Sequence, residues 1–252
     1  MSANKLLPLV LSAKSTLTRM HDAEAESADS DFRSVRPSVL RRDQDACRFC
    51  GFADKGLYIQ VHHLDDDHHN NKPENLVTAC VHCHACFHIG LWGSRGEASI
   101  VYLPELEQWQ LSHVCRALLV AKHYPSKLAQ NREVDPARKA AAQKMHDAAK
   151  AMMARMEARG EQAEQLIGTS SAQDLANVLH NLPPEVYARR AERLKGLRLL
   201  VGFEHRPRDG QKDMLSDIAA GWMERSKDRK GPYSGLLPPD WQNLSALAGH
   251  RA

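Results

Sequence analysis

Residues 47–88 contain seven of the 14 histidines and five of the six cysteines in this 252-residue chain. Four of the cysteines form two Cys-x2-Cys pairs, Cys47/Cys50 and Cys80/Cys83. A tetrahedral zinc ion binds four thiolates, and this spacing lets two sulfur atoms from one tight turn reach the same ion. The pairs therefore predict a closed, structural Zn²⁺ site that stabilises the segment between them. They also favour a reducing, cytoplasmic compartment over a disulfide framework.

The histidines predict a second site for a divalent ion. His84 and His88 are four residues apart, which would place them on one face of a helix, with His62 arriving from a strand. Three neutral imidazoles can leave coordination positions for phosphate and water, as hydrolysis requires. His63 should point to the other face of the strand unless the strand twists or ends there. It is the candidate general base, because a histidine can take a proton from water near neutral pH. Asn75 would support the histidine-bearing loop.

Short strands and helices must position these residues. Strands are predicted over 5–13, 57–62 and 100–104. Helices are predicted over 36–43, 73–90, 105–122, 135–160, 171–181, 184–199 and 210–227. The acidic residues 21–31 are typical of a mobile linker, and the tail from Gly231 is expected to be irregular. Solvated side chains are expected for His68, His69 and His82, and small buried ones for Cys86 and Cys115.

The predicted fold class is α+β and mostly α. It consists of a small zinc-stapled module with flanking strands and a helical C-terminal region. The predicted division is an N-terminal strand and linker (1–31), a zinc-binding domain with a following strand and helix (32–125) and a helical region (126–252).

An apolar seam runs along the predicted helix 135–160. Met145, Ala149, Met152 and Met156 recur at spacings of four, three and four residues. Two interpretations are open: a packing face within the protein, or a surface for a partner helix, since methionine adapts to irregular surfaces.

Composition narrows the function classes. Hydrophobic residues make up 42% of the chain and charged residues 26%, as in ordinary soluble globular proteins. A net charge of +3 is too small to indicate a nucleic-acid-binding protein by itself. No stretch has the length and apolarity of a membrane span.

The order Cys-x2-Cys, His-His, Asn, Cys-x2-Cys-His resembles the HNH, or ββα-metal, nuclease motif. The resemblance implies that His63 is the general base, that Asn75 supports the loop, and that His62 and His84 bind the catalytic metal. His88 matches the additional helical ligand of colicin-type members. The four cysteines would hold a structural zinc, and the catalytic ion would be Mg²⁺, Mn²⁺, Ni²⁺ or Zn²⁺.

A second resemblance is spread over most of the chain. Residues 65–71 (DDDHHNN), 75–80 (NLVTAC), 101–105 (VYLPE), 196–200 (GLRLL) and 8–12 (PLVLS), together with Cys86-Phe87, are similar to the IcmJ (DotN) family. That resemblance implies an HNH-like zinc fold in the coupling complex of a type IV secretion or conjugation system. Its protein partners would belong to a coupling ATPase assembly, and the chain would be cytoplasmic or peripheral at the inner-membrane secretion complex. Members of that family lack parts of the catalytic histidine set, whereas this chain keeps His62, His63 and His84.

Two functions follow. The first is an interaction subunit of the coupling complex. The second is a metal-dependent HNH endonuclease that acts on DNA phosphodiesters. Residues 31–60 carry six Lys/Arg against four Asp/Glu, and Asp65-Asp66-Asp67 lies beside the histidines. Because phosphate contacts dominate nucleic-acid affinity, this weak basicity favours the interaction subunit, whereas the intact histidine set favours the enzyme.

Overall fold

A computed structural model describes residues 6–13, 23–54, 59–65, 67, 69–129, 135–202 and 214–226, and structural statements below concern these residues. Ten helices are assigned: α1 (Ala23–Arg42), α2 (Val81–Ala85), α3 (Ile89–Ser94), α4 (Gln108–Ala129), α5 (Pro136–Glu157), α6 (Gly160–Ile167), α7 (Ala172–His180), α8 (Pro184–Ala188), α9 (Arg190–Arg193) and α10 (Met214–Ser226). Four strands accompany them: β1 (Ile59–His63), β2 (Leu76–Cys80), β3 (Ala98–Tyr102) and β4 (Leu197–Val201). The predicted α+β class with mostly helical content is confirmed.

The first sheet is an antiparallel pair, β1 and β2, followed directly by α2. Its register runs from Ile59 opposite Cys80 to His63 opposite Leu76. The strand pairing brings the histidine pair and the second cysteine pair into one small unit, although Cys80 lies 17 positions after His63 in the chain.

The single helix predicted over 73–90 is wrong. Residues 73–75 form one 3-10 turn, residues 76–80 form β2, and α2 and α3 follow as two short helices. Pro73 and Glu74 favour a helix start, but the apolar, partly β-branched run of β2 pairs with β1 and is fully buried. Strand pairing therefore overrides the local start signal.

The linker predicted over 21–31 is also wrong from Ala23 onward, where α1 begins. The short helix predicted over 36–43 is the end of this longer helix. Val39 is 1% exposed and packs in a small cluster with Val61 and Leu76, next to the partly buried Phe32. Helix α1 thus covers one face of the first sheet, and this packing compensates for Pro37 within the helix.

The C-terminal half departs from the prediction at 184–199. The helices there are short, and residues 197–201 form β4, which pairs antiparallel with β3, from Ala98 opposite Val201 to Tyr102 opposite Leu197. Gly196 precedes β4 with a φ of +85°, a left-handed conformation that suits glycine and ends the preceding turn. The sequence has no local signal for a strand partner almost 100 residues away.

The apolar seam of α5 packs inside the protein. Ala149 and Met156 are buried, Met145 and Met152 are partly buried against the same core, and α5 lies against α4. The packing-face interpretation is therefore confirmed.

One apolar cluster extends through most of the described chain. It includes Leu11, Phe49, Leu118, Leu199 and Trp222. The division into 1–31, 32–125 and 126–252 stays a prediction, and the cluster has members from all three parts.

The strand predicted over 5–13 is not formed in the part of it that the structure describes. Residues 6–13 form no strand, but backbone hydrogen bonds hold them, from Leu7 N to Arg48 O (2.8 Å) and from Ser12 N to Cys86 O (2.8 Å). Leu57, Tyr58 and the tail from Gly231 lie outside the described residues. No helix in the described ranges is long and apolar enough to cross a membrane.

Candidate metal centre

The four paired cysteines meet in the interior. Each offers a sulfur atom, and these atoms lie within 4.8 Å of one another; all four side chains are buried. The Sγ atoms of Cys50 and Cys80 are 3.7 Å apart. Tetrahedral zinc with Zn–S bonds of about 2.3 Å places its sulfur ligands roughly 3.8 Å apart. The cluster can hold a metal ion, and its donor set fits the zinc that the cysteine spacing predicts.

Two local structures present the sulfur atoms. Cys47 and Cys50 lie in a tight turn closed by hydrogen bonds from Cys47 N to Phe52 O and from Gly51 N to Cys47 O, each 2.8 Å. Gly51 has a φ of +74°, which lets the chain reverse directly after Cys50. Cys80 ends β2, and Cys83 lies in α2, whose N-cap is Cys80. Both pairs therefore project from sharp changes of chain direction.

Arg116 of α4 adjoins the cysteine cluster and is only 1% exposed. Its Nη1 donates to Cys80 Sγ (3.0 Å) and its Nη2 to Cys50 Sγ (3.5 Å). Hydrogen bonds from the neighbouring thiols, that of Cys47 above all, lower the pKa of Cys50. Burial acts to raise the pKa of Cys80, but neighbouring thiols and the charge of Arg116 outweigh it and lower that pKa. Burial raises the pKa of Cys47. The pKa is thus lowered at the two cysteines whose sulfur atoms accept from the arginine, Cys50 and Cys80.

His62, His84 and His88 form a second cluster. One ring nitrogen from each lies within 4.8 Å of the others, so the three histidines predicted to share a metal ion are brought together. They do not share one helix as predicted: His84 is in α2, and His88 lies between α2 and α3. The ring of His62 stacks on Phe87, with centroids 3.9 Å apart, and is 2% exposed. His84 and His88 are half-buried, so the cluster has one buried and two partly accessible members.

His63 has a different environment. Its ring stacks on Phe32 of α1 (centroids 5.3 Å apart, 30° between planes), and its Nε2 lies 3.0 Å from Asn71 Oδ1. The side chain is 3% exposed. Helix α1 therefore covers the ring that the sequence assigns to proton abstraction.

Asn75 organises the loop after β1. Its Nδ2 donates to Asp65 Oδ1 (2.7 Å) and to Asn70 O (2.9 Å), and its Oδ1 accepts from Asp65 N (3.1 Å). Burial acts to raise the pKa of Asp65, but hydrogen bonds from Asn70 and Asn75 outweigh it and lower that pKa. Asn75 thus supports the histidine-bearing loop, while its catalytic role stays a prediction.

The other histidines and cysteines of this region differ in whether their exposure matches the prediction. His82, expected to be solvated, is 2% exposed, and burial lowers its pKa to about 3. His69 is exposed as expected, and His68 and Asp66 lie outside the described residues. Cys86 and Cys115 are buried, and burial raises the pKa of both, that of Cys115 to about 12. Both therefore remain protonated, consistent with small buried side chains.

Sequence reasoning missed the residues that surround the cysteine cluster from α4 and α10. Arg116 and Phe52 are in contact, with the guanidinium carbon 4.3 Å from the ring centroid. Trp222 Nε1 donates to Asp54 Oδ2 at 2.7 Å. Nothing in the spacing of these residues links them to the cysteines, since Arg116 lies 33 positions after Cys83.

Comparison with known proteins finds similarity to a characterised protein over part of the chain. No family model matches the chain. It is 40% identical over 100 residues to the type 4 apparatus protein DotN of Legionella pneumophila. The match covers 38% of this chain and 46% of DotN, so the chain aligns with about half the length of that relative. The chain is therefore similar to a type IV secretion protein over a minor part of its own length.

Proposed function

We propose that this chain is a DotN-like component of a type IV secretion or conjugation apparatus. In it the chain serves as a metal-stapled interaction subunit of the coupling complex. The observation that carries the proposal is the 40% identity to a type 4 apparatus protein over 100 residues. The IcmJ (DotN) resemblance in separate patches along the chain supports the same role.

The closed cysteine cluster supports an architectural role for the metal. Four thiolates would complete the coordination of Zn²⁺ and leave no position for a substrate. The ion would join the turn at 47–50 to β2 and α2, and Arg116 would connect this unit to α4. Such a rigid module suits a subunit whose function is to present a surface to protein partners.

A metal-dependent HNH endonuclease is the second candidate function, and the His62, His84 and His88 cluster favours it. In that function His63 would take a proton from water and the ion would stabilise the charge that develops on phosphate. The position of His63 argues against the endonuclease function, because a general base must lie within hydrogen-bond reach of its water. Here Phe32 covers the ring, and Nε2 faces Asn71. The interaction subunit is therefore the better-supported function.

Genetic complementation tests the proposal and separates the two functions. A strain deleted for this gene should lose translocation of a reporter substrate, and the wild-type chain should restore it. Under the proposed function His84→Ala restores translocation too, because the histidine cluster is dispensable, while Cys80→Ser fails. Intact translocation in the deletion strain would refute the secretion role. Failure of His84→Ala, with normal protein levels, would favour the enzyme.

A biochemical test addresses the nuclease directly. Purified protein is incubated with supercoiled plasmid and Mg²⁺, Mn²⁺, Ni²⁺ or Zn²⁺, beside His63→Ala and His84→Ala. If the chain is an interaction subunit, we expect the wild-type protein to nick the plasmid no more than the two variants do with any of these ions. Cleavage that requires both histidines would establish the nuclease instead.

A partner test completes the set. The chain is co-expressed with the coupling ATPase of the type IV system encoded in the same genome, and the mixture is separated by size-exclusion chromatography with light scattering. Co-elution as one complex of defined mass is expected, whereas separate elution of two folded proteins would contradict the coupling-complex assignment.

A further inference from the structure

We propose that Arg116 is a positioning residue of the four-cysteine site. Its guanidinium binds one sulfur atom from each Cys-x2-Cys pair and supplies the positive charge that four thiolates require in the interior. The inference rests on the metal site and not on the secretion role, so the two can fail separately.

The geometry of the guanidinium carries the inference. Nη1 donates to Cys80 Sγ at 3.0 Å and Nη2 to Cys50 Sγ at 3.5 Å. The two sulfur atoms belong to different pairs, and they lie 3.7 Å from each other. A planar guanidinium presents several N–H groups in a fixed fork, and here one fork spans two ligands from opposite halves of the site.

The orientation of the fork is set by its neighbours. His113, one turn earlier on α4, lies with Nδ1 2.8 Å from Arg116 Nη2. A guanidinium has donors and no acceptor, so His113 Nδ1 accepts and its proton lies on Nε2, which donates to Cys50 O at 2.9 Å. Phe52 lies against the guanidinium carbon at 4.3 Å. The turn that carries Cys50 is thus tied twice to α4, through its sulfur and through its carbonyl.

Charge explains why an arginine is present. Four thiolates around one divalent ion carry a net charge of −2, and all four side chains are buried. Burying an uncompensated charge is unfavourable, because the ion loses its hydration and nothing in the interior replaces it. A guanidinium that is 1% exposed is equally costly without an anionic partner. Each group compensates the other, so the arginine should favour a metal held by four thiolates over the metal-free thiols.

A lysine at position 116 would supply the charge of Arg116 but not its two-sulfur contact. Its ammonium supplies the same charge, but it is a compact point donor without the planar fork. Arg116→Lys should therefore retain the charge compensation and lose the bridge between the two sulfur atoms. Arg116→Met should lose both. The two variants separate charge from geometry.

The test is metal retention by the full chain. Zinc affinity is measured by competition with a chromogenic chelator for wild type, Arg116→Met, Arg116→Lys and Arg198→Met. Arg198 is a matched control: it is a partly buried arginine whose Nε donates to Leu106 O (2.6 Å), a carbonyl rather than a sulfur. We expect Arg116→Met to weaken zinc binding about 10–100-fold, as loss of outer-shell partners does elsewhere. Arg116→Lys should lose less, and Arg198→Met should bind zinc as the wild type does.

Cobalt substitution gives a second readout that a packing role would not change. Hydrogen bonds to a thiolate withdraw electron density from sulfur, which raises the energy of sulfur-to-Co²⁺ charge transfer. In Arg116→Met this absorption band should move to longer wavelength, with an intermediate shift in Arg116→Lys and none in Arg198→Met.

Wild-type affinity and an unshifted band in both Arg116 variants would overturn the inference. So would an equal loss of affinity in Arg198→Met, because the effect would then be general destabilisation. Should Arg116→Met fail to fold, Arg116→Lys decides the matter by the same two measurements.

Discussion

Asp43 is a buried carboxylate that fastens the end of α1 to the first sheet. Its oxygens accept from Arg42 Nε (2.9 Å), from Thr78 N (2.8 Å) and from Arg48 Nη1 (3.4 Å). Burial acts to raise its pKa, but the hydrogen bonds from Arg42 and Thr78 outweigh it and lower the pKa below the ordinary value. The ionised form is therefore the one that the fold stabilises.

Asp43→Asn should lower the free energy of unfolding at pH 7 by about 1–3 kcal/mol, since buried donors lose a charged acceptor. A depressed carboxyl pKa contributes stability above the pKa of the unfolded state and loses it as pH falls through the folded pKa. The difference between wild type and variant should thus shrink below about pH 4, the ordinary aspartate range. Urea unfolding at several pH values measures this difference, and a constant difference would contradict the prediction.

His63 is expected to hold α1 in place rather than to abstract a proton. His63→Ala removes the ring that stacks on Phe32 and the contact to Asn71, and should lower stability by about 1–3 kcal/mol, as for other buried side chains. Amide hydrogen exchange in 31–42 should become faster. The exposed His69→Ala is the control. Unchanged exchange in α1 would show that His63 does not anchor the helix.

At the scale of elements, α3 and α7 approach each other at a glycine. A Cβ added to Gly93 would lie 2.3 Å from the backbone nitrogen of Gln173, whereas one added to Gly90, in the same helix, would meet only the Ala176 Cβ at 3.0 Å. Backbone cannot yield as a side chain does, so the contact fixes how closely the two helices pack.

Gly93→Ala should destabilise the protein by about 1–3 kcal/mol through overpacking, although alanine has the higher helix propensity. Gly90→Ala should cost less. Thermal and urea unfolding of both variants measure the contrast. Equal stability of the two variants would mean that α3 and α7 can separate without cost.

At the scale of the whole molecule, the cysteine cluster belongs to the same core as α4 and α10. Phe52 follows the first cysteine pair and packs edge-on against Trp222, with ring centroids 5.7 Å apart. The apolar cluster includes the four cysteines together with Leu118 and Trp222. Stability of the metal module and stability of the C-terminal helices should therefore be linked.

Removal of zinc by a chelator, or Cys83→Ser, should unfold residues 47–88 and speed hydrogen exchange in α4 and α10, because metal binding supplies folding free energy. Circular dichroism and the melting temperature follow the first effect. Cys115→Ser is the control, because Cys115 is a buried cysteine of α4 that does not belong to the four-cysteine cluster. This variant should keep its metal. An unmoved melting temperature after metal removal would disprove the structural role of zinc.

The sequence by itself determined the two ligand groups and the class of the fold. Cysteine spacing and histidine spacing are local chemical signals, and both groups meet in space. The start of α5 is a local signal of the same kind: Asp135 caps the helix as its sequence position predicts, and its Oδ1 accepts from Ala137 N at 3.0 Å.

Only the tertiary structure decided the features that depend on distant partners. Residues 76–80 and 197–201 became strands because β1 and β3 pair with them. The acidic stretch from Ala23 became helical in a helix that docks through Val39. Arg116 reached the sulfur atoms because α4 packs beside them. Pairing, docking and desolvation join residues far apart in the chain, and no local pattern encodes them.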